Sequence, residues 1–244
     1  MPKIETDVAV QRIEIVRSFF ERLDGFKRKE QESIPPVGRF LERFSVASSS
    51  LRQEEQNWQK ATAPNFNVFR VLHLQRRETK LHSRFLAELL DPRGSHGQAD
   101  RFLTAFLDAG KNVGFRCPSQ WPTDAIWEIT TEEVVSESDR LDIVLRCPAA
   151  RFVMVIENKV DAAEGSKQLS RYYEDWLKKQ PADFRNLVFL TPDGREPETI
   201  SVDKCSCLSY RDHITGWLRK LVDKIEADRL RFAIDQYLQV VESF

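Results

Sequence analysis

The sequence predicts a mixed α/β layer fold, and three observations carry that prediction. Residues 1 to about 110 are dominated by helical periodicity. From about residue 125 the texture changes to β-branched and aromatic runs that read as three successive strands. A helix ("SKQLSRYYEDWLKKQ"), a short apolar strand ("NLVFLTPDG") and two amphipathic helices then follow. Helices, three strands, helix, strand, helices is the order of a sheet covered by helices.

The elements follow in order. "VAVQRIEIVRSFFERL" places Val8, Ile13, Val16, Phe19, Phe20 and Leu23 near one face at helical spacing. "SIPPVGRFLERFSV" starts a second helix after its Pro-Pro break. "FNVFRVLHLQRRETKLHSRFLAELLDP" repeats Phe69, Leu72, Leu81, Phe85 and Leu89 at helical spacing and stops at Asp91-Pro92. "QADRFLTAFLDAG" is amphipathic and ends at Gly110, which reads as its C-cap. "AIWEITTEEVV", "RLDIVLRC" and "RFVMVIENKV" are the three strands, and "CLSY" is a candidate for a further one. "DHITGWLRKLVDKI" and "LRFAIDQYLQVVESF" close the chain as helices. The division expected is a helical extension over residues 1–60 and one domain over 61–244. The last helix runs to Phe244 without a tail, which leaves a longer natural chain as an expectation.

Composition narrows the class. The 244 residues are 41% hydrophobic and 31% charged, which suits one large globular domain with an elaboration. No apolar stretch approaches the ~20 residues needed to span a bilayer, so no membrane partner is expected. The N-terminus lacks the basic start and apolar core of a secretory signal. A net charge of −1 does not announce a nucleic-acid binder, so such a surface must come from local clustering. Cys117, Cys147, Cys205 and Cys207 form no C-x-x-C pair; free thiols in a reducing, cytoplasmic setting are the expectation.

Residues 140–160, "RLDIVLRCPAARFVMVIENKV", place Asp142, Glu157 and Lys159 inside the most apolar strands of the chain. A buried ion costs several kcal/mol unless paired or metal-bound. Glu157 and Lys159 are two apart and share a strand face. If "PAAR" (148–151) is a four-residue hairpin loop, Cys147 faces Phe152, and counting outward sets Asp142 opposite Glu157. Their Cβ atoms are then ~5 Å apart. Two carboxylates so placed repel unless a cation lies between them, and a divalent ion with oxygen ligands satisfies both. A neighbouring lysine can hold an attacking water or stabilise charge developing on phosphate. The competing account is a self-satisfied ion network.

These residues resemble a family. "LDIVL…VMVIENK" looks like the core of the PD-(D/E)XK nuclease superfamily, whose Asp and (Asp/Glu)-x-Lys lie on adjacent strands. Asp142 matches the family Asp, and Glu157, Asn158 and Lys159 match the Glu-x-Lys. Leu141 stands where Pro is usual, a departure with little chemical consequence. The resemblance implies a restriction-endonuclease-like αβββαβ core, with metal ligation by Asp142, Glu157 and the backbone carbonyl of Asn158. Gln168 and Tyr172, four apart on the helix after the third strand, are similar to the Gln-x-x-x-Tyr of its RecB-like branch. "RETKLHSRFLAELLDPRGSHGQADRFLTAFL" resembles the N-terminal signature of a subgroup of uncharacterised bacterial nucleases. It implies an additional acid, Glu78, reaching the metal from the first core helix, with His82 one turn later. The resemblance covers roughly residues 66–190.

Local charge suggests the substrate surface. Arg70, Arg76, Arg77, Lys80, Arg84, Arg93 and Arg101 cluster over residues 66–101, and Lys167 and Arg171 form a second basic pair. His82 and His96 are candidate nucleic-acid contacts, His96 alternatively a cap for the next helix. The acidic run Glu128 to Glu137 is expected to face away on the first strand. The resemblance implies Mg²⁺- or Mn²⁺-dependent hydrolysis of phosphodiester bonds in DNA, with RNA left open, in phage defence, restriction or DNA repair. Lys159 would position the water, while Gln168 and Tyr172 orient ligands or the substrate strand. The alternatives are a non-catalytic nucleic-acid-binding or regulatory module on the same fold, and an interaction protein. The N-terminal helices are expected to serve homodimerisation or partner docking.

Overall fold

A computed structural model describes residues 37–244 apart from Ser138, together with Ser18 and Arg22. The helix expected over residues 8–23 lies outside the described residues except for Ser18 and Arg22, both helical. The chain divides into two compact units, Met1–Phe66 and Asn67–Phe244. In the first, helix α1 (Val37–Thr62) begins directly after the Pro-Pro pair. Its "SVASSS" stretch is weakly helix-forming, and Ser48, Ser49 and Ser50 donate their hydroxyls to carbonyls three or four residues back.

The second unit is built on a five-stranded sheet: β1 (Glu128–Val134), β2 (Arg140–Cys147), β3 (Phe152–Asn158), β4 (Phe184–Thr191) and β5 (Ser206–Ser209), in that spatial order. β1, β2 and β3 are antiparallel neighbours, whereas β3, β4 and β5 run parallel. Every residue of β3 is buried, which explains its unbroken apolar run. The β2–β3 loop is a 3-10 turn, Pro148–Ala150, closed by Arg151 in the left-handed region (φ 49). Cys147 pairs with Phe152, the register that a four-residue loop predicts.

Apolar cores lie on both faces of the sheet. One packs Ile143, Leu145, Met154 and Ile156 beneath residues of α3 (Arg84–Leu90), α4 (Arg101–Gly110), α6 (Thr215–Val222) and α7 (Asp228–Val241). The other packs Val144, Val153, Val155 and Leu187 beneath Leu169, Tyr172 and Leu177, contributed by α5 (Gln168–Arg171) and the turns that continue it. Burying these side chains on two faces is the main stabilising term, at about 1.5–3 kcal/mol for each large aliphatic.

Three helical expectations need correction. Residues 66–92 are not one helix. α2 (Val68–Val71) is capped by Asn67, the chain turns through His73 (φ 54), and a π-helical segment, Glu78–Ser83, leads into α3. Gly110 is not the left-handed cap of α4; its φ is −68, and Gly114 (φ 93) makes that turn three residues after Lys111 begins a 3-10 extension. Gly110 is required for space, since a Cβ there would lie 1.9 Å from the Phe115 ring. The helix over 166–180 continues from α5 through a π-helical segment, Tyr172–Trp176, into a 3-10 turn. A third π-helical segment, Tyr210–Ile214, precedes α6. Wide turns of this kind recur at functional sites, and these three begin at Glu78, Tyr172 and Tyr210.

Candidate active site

The sheet changes from antiparallel to parallel pairing at β3, and ligands in open α/β sheets bind beyond the carboxyl ends of parallel strands. Asn158 ends β3, and Lys159 follows with its N–H bonded to the Leu190 carbonyl at 2.9 Å. Ile143–Ile156 is the last pair of the β2–β3 ladder, and the same register extended by one residue sets Asp142 opposite Glu157. Asp142 Oδ2 accepts the Asn158 N–H at 2.7 Å, and Lys159 Nζ lies 2.7 Å from Glu157 Oε1. All three charges therefore meet at one end of the sheet.

Gln168 and Tyr172 complete the arrangement. Gln168 Nε2 donates to Glu157 Oε1 and to the Tyr172 hydroxyl oxygen, both at 2.8 Å. Tyr172 in turn donates to the Arg140 carbonyl at 2.8 Å, tying the helix to the start of β2. Glu157 is 1% exposed, yet its Oε2 has no hydrogen-bond partner. A buried acceptor left in this state costs ~1–3 kcal/mol, and more when it is ionised. Burial pushes the carboxyls of Glu157 and Asp142 well above the usual range, Asp142 to about 6. The mutual repulsion of the pair adds to the Glu157 shift, and Glu132 and Glu78 add to that of Asp142. Lys159 is held charged by Glu157 and Asp142, which outweigh its burial.

A family model described as the PD-(D/E)XK nuclease superfamily matches residues 66–239. The chain belongs to this superfamily. Searches among curated proteins and among solved structures gave no match. The mixed five-stranded sheet with its flanking helices is the α/β, restriction-endonuclease-like fold expected of a PD-(D/E)XK nuclease. Membership implies phosphodiester hydrolysis on nucleic acid. Among the described residues no helix is long and apolar enough to cross a membrane.

Several residues read from the sequence have other positions in this PD-(D/E)XK chain. Glu78 Oε1 accepts the N–H groups of Val160, Asp161 and Ala162 at 2.7, 3.1 and 3.3 Å, so it clamps the loop that follows Lys159. His82 is fully buried. Its Nε2 donates to the Gln75 carbonyl at 3.1 Å, which leaves Nδ1 to accept from the Tyr237 hydroxyl at 2.9 Å. Burial lowers its pKa to about 4, and it is a neutral core residue that no polynucleotide reaches. His96 spans its own loop, with Nε2 bonded to the Asp91 carbonyl and Nδ1 to the Gln98 N–H. Neither of its nitrogens is available to phosphate. Arg171 is bonded to Asp139, at 2.6 Å for Nη2, and to the Ser166 carbonyl. It therefore ties α5 to the residue that precedes β2. Arg77, Lys80, Arg84 and Lys167 are exposed, whereas Arg76 pairs with Asp161 and Arg93 bonds to the Trp127 carbonyl.

Sequence reasoning missed the support beneath Asn158 and one acid beside Asp142. The Asn158 side chain points to the opposite face from Glu157, donates to Ser83 Oγ at 3.2 Å and accepts from the Tyr210 hydroxyl at 2.8 Å. That anchorage fixes the backbone between the two catalytic candidates. Glu132 does not face away with the acidic run. Its Oε1 is buried without a partner, and its charge raises the Asp142 pKa.

The donor set fits a hard divalent cation. Among the described residues no three His, Cys, Asp or Glu side chains converge closely enough to hold a metal alone. Asp142, Glu157 and the Asn158 carbonyl are what the protein offers, and Mg²⁺ characteristically takes one or two carboxylates and keeps several waters. This raises a pH expectation. The folded chain binds protons at Asp142 more tightly than the unfolded chain, so cation-free stability falls as pH rises from 3.8 to about 6. Above that window the ionised Asp142 costs about 3 kcal/mol. Melting temperatures recorded against pH should show this fall in the wild type and a smaller one in Asp142→Asn, where the buried Glu157 carboxyl, also raised, still titrates. Added Mg²⁺ should raise the melting temperature more at pH 8 than at pH 5, where protons compete for the same oxygens.

Proposed function

We propose that the protein is a divalent-cation-dependent nuclease that hydrolyses phosphodiester bonds in DNA. The observation that carries the reading is the divided Glu157 carboxylate. One oxygen is held by Lys159 and Gln168, and the other is buried, unpartnered and opposite Asp142. A self-satisfied ion network would leave no such oxygen. Asp142, Glu157 and the Asn158 carbonyl hold the cation, Mg²⁺ or Mn²⁺. When bound, it supplies a Lewis acid that polarises the scissile phosphate and favours deprotonation of water.

The remaining work falls to the chain itself. Lys159 Nζ sits beside Glu157, 14% exposed, where it orients the attacking water and offsets charge growing on the phosphate oxygens. Gln168 and Tyr172 fix the Glu157 rotamer and the start of β2. Glu78 holds the loop over residues 160–162 through one carboxylate oxygen, and so positions Lys159. Exposed Arg77, Lys80, Arg84 and Lys167 offer contacts to the backbone of the substrate. Defence against phage or DNA repair is the setting proposed for this activity.

The test is incubation of the purified protein with Mg²⁺ on linear, circular and single-stranded DNA and on RNA. Cleavage of DNA that stops with chelator supports the reading. No cleavage of any substrate with Mg²⁺ or Mn²⁺ contradicts it. Tyr172→Phe removes one hydroxyl and unties Gln168, so kcat should fall about tenfold while KM stays within about twofold, and stability should drop by ~1 kcal/mol. Equal falls in Tyr172→Phe and in a remote core variant of the same stability would show a purely structural role.

A further inference from the structure

We propose that Arg195 is a substrate-contacting residue that grips a phosphate of the DNA strand flanking the one cleaved; this rests on the nuclease reading of the site. β4 ends at Thr191, and "TPDGR" (191–195) is a turn that presents the arginine. The Thr191 hydroxyl oxygen accepts the N–H groups of Gly194 and Arg195 at 2.9 and 3.1 Å. Gly194 lies in the left-handed region (φ 77), and a Cβ there would come within 3.2 Å of the Ser209 Cβ. Arg195 follows as an exposed side chain on a fixed backbone.

Strand register brings that turn to the active centre. Glu157 pairs with Phe189 across the parallel β3–β4 ladder, so the Phe189 ring shares the Glu157 face, one strand spacing (~4.8 Å) away. The Arg195 guanidinium stands over this ring, 5.7 Å from its centroid. Its Nη2 donates at 3.0 Å to the carbonyl of Ala162, whose N–H is held by Glu78 in the loop after Lys159. Farther along that loop, Glu164 accepts the Glu198 N–H at 2.7 Å and the Thr199 hydroxyl, which ties the two loops together. Arg76, Arg151 and Arg171 are each paired with an aspartate. Arg195 forms no ion pair among the described residues, and its Nε and Nη1 have no protein acceptor. A guanidinium with unused donors, mounted beside the cleavage centre, suits the oxygens of a phosphodiester.

The experiment measures binding of a fluorescent DNA duplex by anisotropy, with Mg²⁺ present and full-length Lys159→Ala as the cleavage-poor parent. Adding Arg195→Ala should raise Kd about tenfold. The slope of log affinity against log salt should become shallower by about 0.9, the share of one phosphate contact. Arg195→Lys keeps the charge, so the parent's slope should return while part of the affinity loss remains, because an ammonium lacks the fork. Melting temperatures should stay within about 2 °C of the parent, as for an exposed side chain. A Kd within about twofold of the parent would overturn the contact and leave the nuclease reading intact. So would a weaker Kd with an unchanged slope, which would make Arg195 a staple between the loops. A parent and a wild type that both bind no duplex would overturn the inference and the DNA reading together.

Discussion

Lys159→Ala should lower DNA cleavage by about 10²–10³-fold while the protein stays folded and continues to bind divalent cations. The size is that of removing one preorganised group that stabilises transition-state charge. The separation of binding from catalysis follows from position. Lys159 Nζ contacts Glu157 Oε1, and the unpartnered Oε2 remains for a cation. Removing the ammonium takes a positive charge from beside that cation, so Mn²⁺ affinity should hold or rise. The comparison is a plasmid-cleavage time course beside Mn²⁺ titration for wild type and variant. Cleavage at the wild-type rate would remove Lys159 from the mechanism; a parallel loss of binding would make its role structural.

Glu157→Gln should abolish the stabilisation that Mg²⁺ or Mn²⁺ gives the folded chain, and cleavage with it. The substitution preserves shape and leaves an oxygen to accept from Gln168, but it removes the charge that a cation needs. Loss of a direct ligand should weaken affinity by more than about 100-fold, the upper end of what altering a supporting residue costs. The apo variant should melt within a few degrees of the apo wild type. The buried charge it loses is unfavourable, which offsets the weakened pairing of Lys159. The readout is the shift in melting temperature with saturating cation at pH 8. A shift equal to that of the wild type would show that the cation binds elsewhere.

The strand triad was legible because local rules fix it. Once "PAAR" is taken as the hairpin loop, the period of two and the Cys147–Phe152 pairing determine where Asp142, Glu157 and Lys159 fall. Gln168 and Tyr172 were legible as a helical i,i+4 pair, and the bond of Gln168 to Glu157 follows from the helix returning over β3. The histidines were not legible. His82 takes its partner Tyr237 from 155 residues away, and only the tertiary packing decides that its ring faces the core. Arg171 was misread for the same reason, because Asp139 lies 32 residues earlier on a different element. Glu132 escaped notice because a pattern of alternation assumes extended backbone, and its positive φ breaks that assumption. Glu78 showed as an acid on the right element, but its bonds to three consecutive amides depend on the path of the loop after β3.

The central claim is that Asp142 and Glu157 hold a divalent cation, and Mn²⁺ titration of wild type against Glu157→Gln tests it most directly. The account predicts saturable binding by the wild type and a collapse of that binding in the variant. Equal binding by the two proteins, or none by the wild type, would contradict it.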